Sequence, residues 1–140
     1  MIKLLLWLWQ LPQNLIGFIY SRFGKKCSVY YNIDGKVKLY TWYFVPCFRA
    51  GVSLGQYIIL DPLYKELAPE CHISSLNHET GHSIQSKYLG PVYLLVVGIP
   101  SAIRNIWDRL FHKNWTSYQR IVWYYKGYPE HWADKLGGNI

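Results

Sequence analysis

The stretch Asn77-His78-Glu79-Thr80-Gly81-His82 constrains this chain more than any other, because it carries the spacing H-E-x-x-H. On a helix, side chains four residues apart share a face, with Cβ atoms about 5–6 Å apart. His78 and His82 can then aim ring nitrogens at one ion, at Zn–N distances of about 2.0–2.1 Å. Glu79, one residue on, is badly placed to share that ion but can reach a water beside it and take its proton. A serine N-cap within Ile73-Ser74-Ser75-Leu76 and a stop at Gly90-Pro91 predict a helix over about 75–88. Gly81 inside that helix costs about 1 kcal/mol relative to alanine, so it marks either a close approach at this point, for example by another backbone, or an incidental glycine.

A catalytic zinc site needs three protein ligands and one open position. Near the end of the chain stands Pro129-Glu130-His131-Trp132-Ala133-Asp134-Lys135-Leu136-Gly137-Gly138. Proline suits the first position of a helix and glycine the residue past its end. On such a helix Glu130 and Asp134, four apart, share a face.

Together the two motifs resemble the gluzincin metallopeptidases, whose second motif is E-x-x-x-D, often E-x-x-A-D as at Glu130 to Asp134 here. The run from His78 to Ser86, with Leu89-Gly90-Pro91 and Gly98-Ile99-Pro100-Ser101, is also similar to small bacterial proteins and to the C-terminal ends of some Rhs-type repeat proteins. The gluzincin resemblance implies a Zn2+ cofactor on His78, His82 and Glu130, with Glu79 as general base and Asp134 holding a motif histidine, His78, by its second ring nitrogen. His131 is the neighbouring alternative ligand. It further implies a peptide or protein substrate, hydrolysed by a metal-activated water. The chain is smaller than the well-studied gluzincins, and no tyrosine or histidine stands at a recognisable oxyanion position. Tyr118, Tyr124, Tyr125, Tyr128 and His112 remain open candidates for polarising a carbonyl.

The segment before the motif reads as strands. Residues 28–33 and 36–44 flank Asp34-Gly35, a strong hairpin signal. A third strand over 52–60 ends at Asp61-Pro62. The expected fold is α+β and zincin-like: a small antiparallel sheet of about three strands, then the motif helix, then a helical C-terminal part. By the resemblance, the last strand before the helix is an open edge that pairs with substrate, which makes Ser53, Leu54, Gly55, Gln56 and Tyr57 the candidate substrate strand.

An apolar segment precedes all this. No charge falls between Lys3 and Arg22, but Gln10, Pro12, Gln13 and Asn14 interrupt the middle, which predicts two short helices with a break at Leu11-Pro12. These either lie in a membrane interface with Trp7 and Trp9 at headgroup level, or form a hairpin of the core. No A-x-A-like cleavage site follows the apolar run, which argues against a secretory signal. A second apolar stretch, 89–103, is broken by Gly90, Pro91, Gly98 and Pro100, and residues 103, 106, 107 and 110 show helical spacing.

A length of 140 residues fits a single domain over 1–140, with 1–23 as its apolar N-terminal segment, a candidate membrane-interface anchor. Net charge is +7, yet the basic residues are scattered and no nucleic-acid motif is visible, so a membrane surface ranks above nucleic acid as partner. The expected location is membrane-associated, at a bacterial inner membrane or its cytoplasmic face, with a soluble cytoplasmic protein as the alternative. Oligomeric state is not legible. Cys27, Cys47 and Cys71 form no C-x-x-C pair and are odd in number, so buried, inert thiols are expected. Cys71-His72 is close enough to the motif for a metal role to be conceivable. The readings competing with a peptidase are a membrane-associated binding or structural protein stapled by a non-catalytic zinc site, and a membrane-active toxin or pore former without metal.

Overall fold

The computed structural model describes residues 1–47 and 49–140. Among them are six α-helices and one four-stranded sheet, an α+β arrangement. Two short helices, α1 (Ile2–Trp9) and α2 (Leu11–Ser21), meet at Gln10, with Pro12 in the first turn of the second. Strands β1 (Lys25–Ile33) and β2 (Lys36–Phe44) form the hairpin expected around Asp34-Gly35, and both turn residues have positive φ.

The third strand differs from the expectation. Residues 52–60 are not one strand but a second hairpin, β3 (Gly51–Leu54) and β4 (Tyr57–Leu60), turning at Gly55-Gln56. The reason is local: Gly55 sits at φ 67°, a conformation natural to glycine, and its neighbours lock the turn. Asn14 Oδ1 accepts the Gln56 amide proton (2.8 Å), and Ser83 Oγ donates to the Gly55 carbonyl (2.7 Å). Doubling back puts β4 beside β2 in parallel, so the sheet is four-stranded and mixed, in the order β1-β2-β4-β3, rather than three-stranded and antiparallel.

Helices cover both faces of the β3–β4 end. On one face Tyr40, Trp42, Phe44, Ile58 and Leu60 pack with Leu76 of α3 (Pro69–Leu89). On the other, Val45, Cys47 and Ile59 pack with Tyr20 of α2, Tyr43, Val52 and Leu54. Helix α3 begins at Pro69, well before the serines expected to cap it: proline takes the first turn, and Ser75 Oγ donates back to Cys71 O (2.9 Å) inside the helix. Cys71 is exposed, against the expectation of a buried thiol, because the start of α3 faces outward; Cys47 is buried and Cys27 partly so.

The chain then runs through a 3-10 turn (Gly90–Val92) and a π-helical turn (Leu94–Gly98) into α4 (Ile99–Phe111), α5 (Ser117–Lys126) and α6 (Glu130–Gly137). The apolar stripe Ile103, Ile106, Trp107 and Leu110 is exposed. The N-terminal pair is likewise inverted relative to a core hairpin. Its polar residues Gln10, Gln13 and Asn14 are 0% exposed, whereas Leu4 and Leu5 are 62% and 59% exposed. The polar side chains latch the pair to α3: Gln13 Nε2 donates to Ser86 Oγ (2.9 Å) and to Gly90 O (2.8 Å), and Ser86 Oγ donates to Gln10 Oε1 (2.7 Å).

Candidate metal centre

Two glycines let α3 and α6 cross with their backbones in contact. A Cβ on Gly81 would lie 1.9 Å from Ala133 O, and one on Gly137 would lie 1.9 Å from Asn77 O. No larger side chain fits either place without moving a helix. This close crossing sets Glu130 and Asp134, on one face of α6, against His78 and His82, on one face of α3.

The side chains converge. His78 Nε2 and His82 Nε2 each lie 3.0 Å from Glu130 Oε2 and 3.2 Å from each other. Each remaining ring nitrogen has its own acceptor: His78 Nδ1 donates to Asp134 Oδ1 (2.8 Å) and His82 Nδ1 to Gln85 Oε1 (2.8 Å). With both Nδ1 protons directed outward, both Nε2 lone pairs face the same carboxylate oxygen. Three electron-rich atoms at such distances require a proton or a cation among them. Tetrahedral zinc with bonds of about 2.0–2.1 Å holds its ligand atoms roughly 3.3 Å apart, so the spacing suits an ion with little adjustment. His78, His82 and Glu130 are all buried, and the three could hold a metal ion.

Among themselves, these groups meet the requirement with a proton. Burial pulls the His78 imidazole down, but the Asp134 and Glu130 carboxylates outweigh it and raise it to about 10. Burial acts upward on Glu130, yet the two imidazoles hold it well below the ordinary carboxylate range. Asp134 also ends low: burial raises it, and its bonds to His78 and Asn139 more than reverse that. A metal ion takes the proton's place more easily at neutral or alkaline pH than in acid, because the imidazoles must be neutral to bind it.

Glu79 lies beside this group without bonding to it. Its Oε2 is buried and has no hydrogen-bond partner among the described residues. Burial pushes the Glu79 carboxyl up, with His78 and His82 pulling back and Glu130 and Asp134 adding to the rise. A Cβ on Gly51 of β3 would lie 2.6 Å from Glu79 Oε1, so the sheet edge closes over the carboxylate. Buried carboxylate oxygens are normally hydrogen-bonded, so this one stands out.

The candidate residues from the sequence thus divide. His78, Glu79, His82, Glu130 and Asp134 come together. His131 is exposed and is not in the cluster. Ser53 and Leu54 of the proposed substrate strand border the cavity at the metal group. Gly55, Gln56 and Tyr57 do not: the first two make the hairpin turn, and the Tyr57 ring packs on Phe18 and Tyr43. The sheet edge is β3, whereas β4, the last strand before α3, lies between β2 and β3. Among the aromatic candidates, Tyr124 and Tyr125 line a cavity with His78 and Glu79. Tyr128 donates to Val96 O (2.5 Å), His112 is bound to Asp108, and Tyr118 lines a separate hollow with Trp115 and Trp123.

Two supporting residues escape a reading of the sequence. Gln85 orients His82 and donates to Pro129 O (3.2 Å), and Ser101 Oγ donates to Glu130 Oε1 (2.5 Å). Gln85 stands three residues after His82, within reach on one helix face, which is a usable signal. Ser101 ends the Gly98-Ile99-Pro100-Ser101 stretch noted above, but nothing local ties it to Glu130, which it reaches from α4.

No protein-family model matches the chain, and no curated protein or solved structure matches it.

The crossing and the outer hydrogen bond can be tested together by metal titration and thermal melting. Gly81→Ala should destabilise the fold by about 1–3 kcal/mol through overpacking and weaken metal binding by displacing α6. Asp134→Ala should weaken metal binding about 10–100-fold, while His131→Ala should bind metal like wild type. Unchanged metal affinity in Gly81→Ala and Asp134→Ala would detach α6 from the site.

Proposed function

We propose that this chain is a gluzincin-like zinc metallopeptidase in which His78, His82 and Glu130 hold the ion and Glu79 is the general base. The observation that supports this best is the orphaned, buried Glu79 Oε2 beside a three-ligand group. Two imidazoles and a carboxylate are a donor set that suits zinc. The bound ion supplies a Lewis acid for a peptide carbonyl and lowers the pKa of water beside it.

The chain's own residues do the rest. Asp134 and Gln85 fix the histidine rings, and Ser101 fixes the second oxygen of Glu130. Glu79 accepts the proton of the attacking water as its oxygen bonds to the carbonyl carbon. When the C–N bond breaks, Glu79 returns that proton to the leaving amine. Tyr124, lining the cavity beside Glu79, is the side chain we assign to the developing oxyanion. Burial pushes its phenol up, so it keeps its proton to donate at neutral pH. A purely structural metal site, the competing reading, normally closes with four protein ligands and has no use for a free carboxylate beside the ion.

The inverted N-terminal pair supports a location at a membrane surface. No residue of α1 is buried, and α2 buries its polar and small residues while Leu15, Ile16, Phe18 and Ile19 stay exposed. Lys3, Arg22, Lys25 and Lys26, within or just after this pair in the sequence, are exposed. No helix of the described residues is long and apolar enough to cross a membrane. An apolar face with exposed cations close by in the sequence suits the surface of an anionic bilayer, each basic residue adding about 1 kcal/mol near it.

Glu79→Gln is the decisive variant for catalysis. It should keep metal content and melting temperature and lower turnover of a mixed peptide library by about 10²–10⁴-fold. Loss of metal in that variant would make Glu79 a ligand or a ligand's support and refute the role. Fully metal-loaded wild-type protein that cleaves nothing would count against the peptidase reading.

For the membrane, wild-type protein should sediment with phosphatidylserine-containing vesicles and less so as salt rises. The paired change Leu4→Glu and Leu8→Glu, at exposed positions, should release it without altering the melting temperature. Wild-type protein left in the supernatant at every lipid composition would refute the placement. Deleting residues 1–20 would be a poor test, since it removes the buried latch of Gln10, Gln13 and Asn14.

A further inference from the structure

Two cavities meet at the metal group, and they differ in chemistry. Both are lined by His78 and Glu79, with Ala50, Gly51, Asn105, Arg109 and Tyr124 also shared between them. The larger, about 650 Å³, runs between β3 and α4 and is bounded by Val52, Leu54, Tyr93, Leu94, Ile99 and Ile106. The smaller, about 420 Å³, extends toward α5 and carries Arg49 and Arg120, which the larger does not. Both sizes fall in the range of about 300–1,000 Å³ typical of sites that enclose a small ligand.

The smaller cavity holds a bound ion pair and a separate arginine. Apart from Glu79, its one carboxylate is Asp108, and both oxygens of Asp108 are engaged. Oδ1 accepts from His112 Nδ1 (3.0 Å), and Oδ2 accepts from Arg120 Nε (3.0 Å) and Nη2 (2.6 Å). Arg120 is thus engaged by Asp108, whereas Arg49 is exposed at the rim of this cavity, with the Asp61 carboxylate near it.

Arg49 is presented deliberately by its backbone. It is exposed and stands at φ 60°, an uncommon conformation for a residue with a side chain. Asp61 braces it there: Asp61 Oδ2 accepts the amide protons of both Cys47 (3.0 Å) and Arg49 (3.1 Å), and Oδ1 accepts that of Leu63 (3.0 Å). The braced turn leads directly into Gly51, the residue that touches Glu79.

We infer that the cleft selects an extended peptide with an acidic side chain on one side of the scissile bond and a bulky apolar side chain on the other. This rests on the peptidase reading, to which it adds a substrate class. The carboxylate of the substrate pairs with Arg49, whose planar fork suits bidentate binding. The apolar side chain enters the larger cavity, and the amide between them lies over His78 and Glu79. Lysine or arginine in the acidic position meets like charge, which excludes it.

The test uses zinc-loaded, full-length protein and matched fluorogenic peptides. Glu, Gln or Lys is placed on either side of a Leu-containing scissile pair. The Glu peptide of one orientation should be cleaved with kcat/KM about fivefold above its Gln counterpart, the upper end for one partly exposed ion pair, with Lys the slowest. The contrast should shrink as salt is raised and disappear in Arg49→Gln; in Arg49→Glu the Lys peptide should overtake the Glu peptide. Equal cleavage of all three in both orientations would overturn the selectivity while leaving the peptidase reading intact. If the wild type cleaves none of them, binding of the same peptides to Glu79→Gln, read by fluorescence anisotropy, decides separately. An acidic preference lost in Arg49→Gln would keep the cleft assignment without the peptidase, and no preference would overturn it.

Discussion

The contact on which everything else depends is the backbone crossing of α3 and α6. Gly81 meets the carbonyl of Ala133, and Gly137 meets the carbonyl of Asn77. Glycine in the middle of a helix costs about 1 kcal/mol against alanine, and the crossing is what that cost secures. Only at this separation can Glu130 Oε2 stand within 3.0 Å of two imidazole nitrogens on another helix. The site is therefore a property of two rigid helices locked together rather than of loops, which favours fixed ligand geometry.

Around that crossing the protein surrounds the metal group with hydrogen bonds that each do one job. Asp134 and Gln85 turn the two rings so that the same nitrogen of each faces inward. Ser101 anchors the outer oxygen of Glu130. Such outer partners fix tautomer and ring orientation and strengthen the ligands. Glu79 takes no part in this net and lies against the sheet edge at Gly51; in the proposed reading that separation divides binding the ion from moving a proton.

Much of this was legible in the residues, and the limits have physical causes. The i, i+4 pairs His78/His82 and Glu130/Asp134, the Asp34-Gly35 hairpin, the break near Pro12 and the need for a close approach at Gly81 all depend on local spacing or local backbone cost. What local pattern does not carry is which face of an element is covered. Residues 103, 106, 107 and 110 have helical spacing but are exposed, whereas Gln10 and Gln13 are sealed against α3 and Asn14 against the β3–β4 turn. The split of 52–60 into a hairpin depends on Asn14 and Ser83, partners far away in the sequence. Ser101 reaches Glu130 from α4, a contact that no spacing within one helix could announce.

The central claim is that one ion sits among His78, His82 and Glu130. X-ray absorption spectroscopy at the zinc edge of the zinc-loaded, full-length protein tests it most directly. One zinc per chain is expected, with only nitrogen and oxygen neighbours at about 2.0–2.2 Å and the outer-shell scattering of two imidazoles. A sulfur shell at about 2.3 Å, which would place the ion on a thiol such as the exposed Cys71, or scattering from a single imidazole would contradict the account.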